Sequence, residues 1–221
     1  AIAYHRSKGK AERFRFVGRE RGYHGMNIGC ISVGGMINNV KTFASVLMPG
    51  VQHMRHTHLD EHKFVSGQPE TGADRADDLE RIAMNFGPEN IAACIVEPIA
   101  GSTGTLVPPK GYLQKLRETC DKHGILLIFD EVITGWGRTG SSFASIEYGV
   151  TPDIMTMAKA TTNGVVPMGV VACKDEIYDS VMDASPMGSV ELFHGYTYSG
   201  IPVAVAAALA VQDIFEKEDI F

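Results

Sequence analysis

An α/β fold, with a mostly parallel sheet flanked by helices, is predicted by three features of the sequence. Residues 125–129 form an unbroken apolar run between Gly124 and two carboxylates, Asp130 and Glu131. Such a run reads as a strand buried on both faces, the habit of a parallel sheet covered by helices. A second short apolar strand, within residues 152–158, runs into Lys159. Helical periodicity alternates with strand-like runs along the chain, which is the order of a layered α/β domain.

Residues 1–6 read as the tail of a helix before Gly9. Residues 13–17 read as a short strand that runs into the turn Gly22-Tyr23-His24-Gly25. Residues 30–33 and Gly34-Gly35 lead into a loop-rich region that reaches about Thr71. Over residues 77–86, Leu79, Ile82, Ala83 and Phe86 share one helix face, and Gly87-Pro88 ends the helix. Residues 91–96 form the next buried strand, ending in Glu97-Pro98 and the small-residue loop 100–104. Residues 112–123 form an amphipathic helix with Leu113, Leu116 and Cys120 inward and Gly124 as its stop. The central and lysine strands follow, joined through Gly135-Trp136-Gly137-Arg138-Thr139-Gly140 and a short segment at 145–148. Residues 165–173 give one more strand, and 194–200 lead into an Ala/Val-rich helix with Pro202 in its first turn. Residues 213–221 read as a helix barely finished, so the chain is expected to be an internal fragment of a longer protein.

The 221 residues are 44% hydrophobic and 21% charged, enough for one large α/β domain or a domain and part of another. A net charge of −6 argues against nucleic acid and against an anionic membrane surface. Cys30, Cys94, Cys120 and Cys173 are scattered and read as buried thiols of a reducing cytoplasm. No signal peptide is visible. The longest small-apolar run, 201–211, falls well short of the ~20 residues that a bilayer span requires. His53, His56, His58 and His62 crowd the loop-rich region without ligand spacing, so a solvated loop is expected there and no metal. The glycines form neither a GxGxxG nor a Walker pattern.

In open α/β sheets, ligands bind in the crevice beyond the carboxyl ends of the strands. Two successive βα units would place Asp130 and Lys159 at the same edge. A lysine there can form a Schiff base, and a carboxylate can hold a heteroaromatic nitrogen protonated. The pair suggests pyridoxal phosphate chemistry. Alone, Asp130 would equally suit a loop cap or an ion pair with an arginine such as Arg138.

Glu97-Pro98, the block 126–140, Ala158-Lys159 and His194-Gly195-Tyr196-Thr197 occur in an order and spacing that resembles the class III aminotransferases. These are pyridoxal 5′-phosphate enzymes of fold type I, and the likeness runs over nearly the whole chain. It implies that residues 1–221 are the cofactor-binding large domain, truncated at both ends. The family's Gly-Ser phosphate loop would precede residue 1, and the small C-terminal domain, with an arginine for the substrate carboxylate, would follow residue 221. The resemblance implies that Lys159 is the catalytic lysine that carries the cofactor as an imine. Asp130 would partner the pyridine nitrogen, Tyr23 would stack on one ring face and Val132 would press on the other. His24 belongs to the Tyr23 turn, Ile133 follows Val132 at the cofactor, and Glu97 would sit near the ring and Asp130. Thr197 would bond the cofactor phosphate of a neighbouring subunit. The site would then be shared within a homodimer or a dimer of dimers.

Two positions point to a subfamily. Members with a gating glutamate carry Glu where this chain has Ser102, and tend to carry Gln where it has Ile133. Glu-Pro-Ile-Ala-Gly-Ser-Thr-Gly and Asp-Glu-Val-Ile-Thr-Gly instead look like the ω-amino acid:pyruvate (β-alanine–pyruvate) aminotransferases. A departure is Ile201, where those enzymes usually have a polar residue before the proline. The implied activity moves an amino group from an ω-amino acid or amine, such as β-alanine, to pyruvate, giving alanine. The alternatives are a 4-aminobutyrate or diaminopelargonate aminotransferase, glutamate-1-semialdehyde aminomutase, or a catalytically silent fragment.

Overall fold

The computed structural model describes residues 1–186 and 192–221. Among these residues six strands form one sheet: β1 (Arg15–Arg19), β2 (Val51–Met54), β3 (Ile91–Val96), β4 (Leu126–Asp130), β5 (Ile154–Met157) and β6 (Val170–Cys173). Their spatial order is β2-β1-β3-β4-β5-β6; β1 to β5 run parallel, and β6 is antiparallel to β5. The helices are α1 (Ile2–Ser7), α2 (Ile28–Val33), α3 (Ile37–Thr42), α4 (Asp77–Phe86), α5 (Tyr112–His123), α6 (Ala144–Glu147), α7 (Asp175–Asp183) and α8 (Pro202–Lys217).

The apolar run at β4 is buried along its whole length because both faces of the sheet are covered. Its residues alternate between faces, as strand geometry requires. Leu127 and Phe129 join Cys94, Val96, Leu79 and Leu116 in one core cluster under α4 and α5. Leu126 and Ile128 join Ala93, Ile154 and Ile177 in a second, on the face of α1 and α7. Each large apolar side chain so buried stabilises the fold by about 1.5–3 kcal/mol.

Helix α5 stops at Gly124, whose φ of 63° is left-handed and costs glycine little. Arg13 seals the same end: its guanidinium donates to the carbonyls of His123 and Gly124 and to that of Ile91 at the start of β3. One side chain thus ties the α5 terminus to the sheet and places positive charge at the helix C-terminus.

The structure differs from sequence expectation at four places. The region expected as loop from Gly34-Gly35 to about Thr71 contains α3 and the edge strand β2, whose short, half-polar sequence Val-Gln-His-Met hides its pairing with β1. The strand expected at 165–173 is confined to β6 and runs antiparallel. Helix α7, not anticipated, starts with Asp175 and Glu176 in its first turn, where negative charge suits the helix dipole, and buries Ile177. Cys94 and Cys120 are buried, but Cys30 is half-buried and Cys173 exposed, contrary to four buried thiols. Among the described residues no helix is long and apolar enough to cross a membrane.

Candidate active site

Parallel strands deliver the site residues to one sheet edge. β1 runs out into Tyr23 and His24, β3 into Glu97 and β5 into Lys159, while β4 ends on Asp130. Tyr23, His24, Glu97, Asp130, Val132, Ile133 and Lys159 line one cavity of about 270 Å³, together with Gly25. Thr197 does not line it. It sits exposed in a separate cavity of about 510 Å³ with Pro167, Met168 and Tyr198. A groove of about 550 Å³ beside Phe143 and Met155 is also larger, but its amine, Lys174, is already paired with Asp153 at 2.6 Å, at the entrance of β5 and not at the carboxyl ends of the strands. Chemistry, not volume, singles out the smaller cavity.

Asp130 does not pair with Arg138. Its Oδ2 meets His24 Nδ1 at 2.8 Å, and its Oδ1 accepts the Val132 N–H at 3.1 Å. With the carboxylate as acceptor, this contact requires the Nδ1–H tautomer of His24. His24 Nε2 is buried and has no partner among the described residues. Burial, and then the charge of Asp130, push the nearby Cys30 thiol above its ordinary value.

Glu97 is 4% exposed, and both its oxygens are engaged by backbone: Oε1 by the Tyr23 N–H and Oε2 by the Gly101 N–H, each at 2.9 Å. The buried Arg19 guanidinium donates to the Glu97 carbonyl at 2.8 Å. The exits of β1 and β3 are therefore cross-tied, and Glu97 acts on Tyr23 through the main chain. Gly35 completes the turn, where an added Cβ would lie 2.3 Å from the Arg19 carbonyl oxygen.

Glu131 faces away from the chemistry. It is fully buried, accepts the Ala144 and Ser145 N–H groups at 2.7 Å each, and accepts the Thr134 hydroxyl at 2.8 Å. The loop that carries Val132 and Ile133 is folded around this carboxylate. Lys159 stands at φ 47°, a left-handed conformation uncommon outside glycine, and opens the short 3₁₀ turn Lys159–Thr162. Neither the Glu131 anchor nor the Lys159 backbone was anticipated from sequence. The signal available was an acidic residue in a Gly-flanked loop, which does not say which amides it will meet.

Of the clustered histidines, His53 Nε2 bonds the Gly34 carbonyl and the buried His62 Nδ1 the Thr57 carbonyl, so these two are part of the packed structure and not of a solvated loop. No group of three or more His, Cys, Asp or Glu side chains among the described residues assembles a metal-ligand set.

Comparison with known proteins follows the same lines. The chain is 56% identical to an omega-aminotransferase of Caulobacter vibrioides over 222 aligned residues, covering 100% of this chain and 50% of that one. It is 50% identical to an omega-amino acid–pyruvate aminotransferase of Pseudomonas putida, covering 99% of this chain and 49% of the relative. The solved omega transaminase of Pseudomonas jessenii in complex with PMP superposes with a TM-score of 0.90 at 36% identity, covering 99% of this chain and 48% of that one. The chain spans about half the length of the curated relatives it matches. The family model for class-III aminotransferases matches residues 1–221, and the chain belongs to that family.

Proposed function

We propose that the protein to which these residues belong is a pyridoxal 5′-phosphate-dependent transaminase. It would move an amino group from an ω-amino acid or amine, such as β-alanine, to pyruvate, giving alanine. The observation that carries this reading is the convergence of Lys159 and Asp130 on one cavity walled by Tyr23, Val132 and Ile133.

The residues fit the cofactor. His24 and the Val132 N–H use one direction on each Asp130 oxygen, and a carboxylate offers about four acceptor sites, so a ring N–H can still be received. Tyr23 and Val132 supply an aromatic and a branched aliphatic surface suited to a flat ring. Bound there, the cofactor supplies a protonated heteroaromatic ring that withdraws electrons from the substrate carbon bearing the amine. Asp130 would hold the proton on the ring nitrogen, because a neighbouring negative charge favours the protonated form. Lys159 Nζ would bear the cofactor and, once released, carry the proton removed from that carbon. His24 would orient Asp130, and Glu97 would hold Tyr23 in place through its backbone N–H.

Residues 1–221 would be the cofactor-binding large domain. Thr197 would serve the site of a second copy, in a homodimer or a dimer of such dimers. That reading is supported by its place outside the Lys159 cavity and by the exposed Phe193, Tyr196 and Tyr198 near it in sequence, a patch a second copy would cover. The cytoplasm is the compartment that suits free thiols. The pyruvate reading draws on Ser102 and Ile133 and on relatives described as omega-amino acid–pyruvate and beta-alanine–pyruvate aminotransferases.

The test is a half-reaction followed by visible absorbance in the full-length protein. β-Alanine should bleach the band of the lysine-bound cofactor, and pyruvate should restore it. Restoration by 2-oxoglutarate alone would overturn the subfamily reading. A Lys159→Ala variant that kept both band and turnover would overturn the whole.

A further inference from the structure

The loop after β4 and the turn after β5 form two walls of the Lys159 cavity, and one side chain joins them. Trp136 Nε1 donates to Thr161 Oγ1 at 2.8 Å, and Thr161 Oγ1 donates to the carbonyl of Ala158 at 3.0 Å. Ala158 precedes Lys159, and its carbonyl also receives the Thr161 N–H at 3.0 Å. Thr161 is 3% exposed; its one hydroxyl proton is committed to Ala158 while a lone pair receives the indole N–H.

Both ends of this tie are held firmly. Trp136 belongs to the loop folded around Glu131; its ring packs on Phe143 at 4.9 Å between centroids, and its backbone N–H reaches the Ser142 carbonyl at 2.6 Å. At the other end, the Lys159 carbonyl accepts the Gly164 N–H at 3.1 Å, closing the turn. Between the two bonded carbonyls lies the left-handed φ of 47° at Lys159. A non-glycine residue in that region costs about 1–3 kcal/mol and persists only where its surroundings over-determine it.

From this geometry we infer that Trp136 and Thr161 are positioning residues for Lys159. The indole fixes the threonine hydroxyl, the hydroxyl fixes the Ala158 carbonyl, and the fixed peptide holds Lys159 in the conformation that aims its amine at the cavity opposite Asp130. The catalytic weight of the tie rests on the function proposed above; the tie itself does not.

Trp136→Phe keeps an aromatic ring against Phe143 and removes only the donor. Thr161→Val keeps the branched shape and removes the hydroxyl, and Thr161→Ser restores it. In the full-length enzyme, Trp136→Phe and Thr161→Val should each lower kcat about tenfold with KM for the amine changed by less than about twofold, as expected when a reacting group is misplaced by a fraction of an ångström. The double variant should be no worse than either single one, and Thr161→Ser should recover most of the loss. In the cofactor-free protein, amides 160–165 should exchange with solvent faster in Trp136→Phe, while those of β5 stay unchanged. Unchanged kcat in both single variants would overturn the inference, as would fully multiplying losses in the double variant or unchanged exchange at 160–165. Should Thr161→Val fail to fold, Trp136→Phe decides alone. The visible band of the unmutated protein tests the function, and exchange in the cofactor-free protein tests the tie, so the two can fail separately.

Discussion

His24 Nδ1 and Asp130 Oδ2 lie 2.8 Å apart, with only 2% and 8% of the two side chains exposed. The imidazole has no other polar partner among the described residues, since Nε2 is buried and unpaired. A buried ring that leaves one nitrogen unsatisfied pays a desolvation cost. Its one bond orients the carboxylate at the end of β4.

If Asp130 holds a proton on the cofactor ring, its charge and its orientation should be separable. Asp130→Asn removes the charge and should lower turnover roughly 10- to 1,000-fold, matching the one to three pKa units an adjacent opposite charge is worth. His24→Phe keeps the charge but frees its rotation and should cost less, about tenfold. Single-turnover bleaching rates by an amine measure both. An Asp130→Asn variant as fast as the parent would remove the ring-nitrogen role.

Glu131 should behave oppositely, as a residue of the fold. Glu131→Ala leaves three buried donors without an acceptor, at about 1–3 kcal/mol each, so the urea midpoint should fall sharply. Glu131→Gln keeps one acceptor oxygen and should lose less. A Glu131→Ala midpoint equal to that of the parent would mean that the loop folds without its anchor.

Asp130 and Glu131 stand side by side in the sequence, and their contrast shows what could be read there. The apolar run before them gave away β4, because burial on both faces leaves no polar residue in five. Helices α4 and α5 matched their expected bounds, since glycine stops and apolar spacing act locally. Convergence at one sheet edge followed from parallel order, so Lys159 and Asp130 could be placed together before any coordinates, while Glu97 joined them only through the family resemblance. What remained hidden depends on contacts between distant residues. His24 as the partner of Asp130 spans 106 positions, and Ala144 and Ser145 reach Glu131 from 13 and 14 residues away. Strand β2 escaped because its polar residues fit an edge, and α7 because a short acidic segment announces little beyond its first turn.

Glu97 tests whether a site carboxylate can work through the main chain alone. Both its oxygens accept backbone N–H groups, so Glu97→Gln must turn an NH₂ toward the amide of Tyr23 or Gly101. The mismatch should cost about 1–3 kcal/mol and loosen the Tyr23 turn. Cofactor dissociation should therefore speed up together with a lower Tm. A Gln variant that binds the cofactor as tightly as the parent would place Tyr23 under the control of Arg19 and Gly35 instead.

Asp153 should set the acid limit of the fold. Its carboxylate receives Lys174 Nζ at 2.6 Å, the Leu127 N–H at 2.7 Å and Arg117 at 2.9 Å, pinning β4 to the segment that enters β5. Burial pushes its carboxyl up, but Lys174, the Leu127 N–H and Arg117 together outweigh burial and hold it below the ordinary carboxylate value. A depressed folded pKa means that the unfolded chain takes up the proton first as pH falls. The stabilisation is therefore complete above the ordinary Asp value of about 3.9 and is lost as pH drops through the lower folded value. Asp153→Asn should lower the urea midpoint at neutral pH, and the gap between variant and parent should narrow below that ordinary value. A gap that stays constant down to the acid transition would show that the three donors hold Asp153 without shifting its proton, and that other carboxylates govern the acid limb.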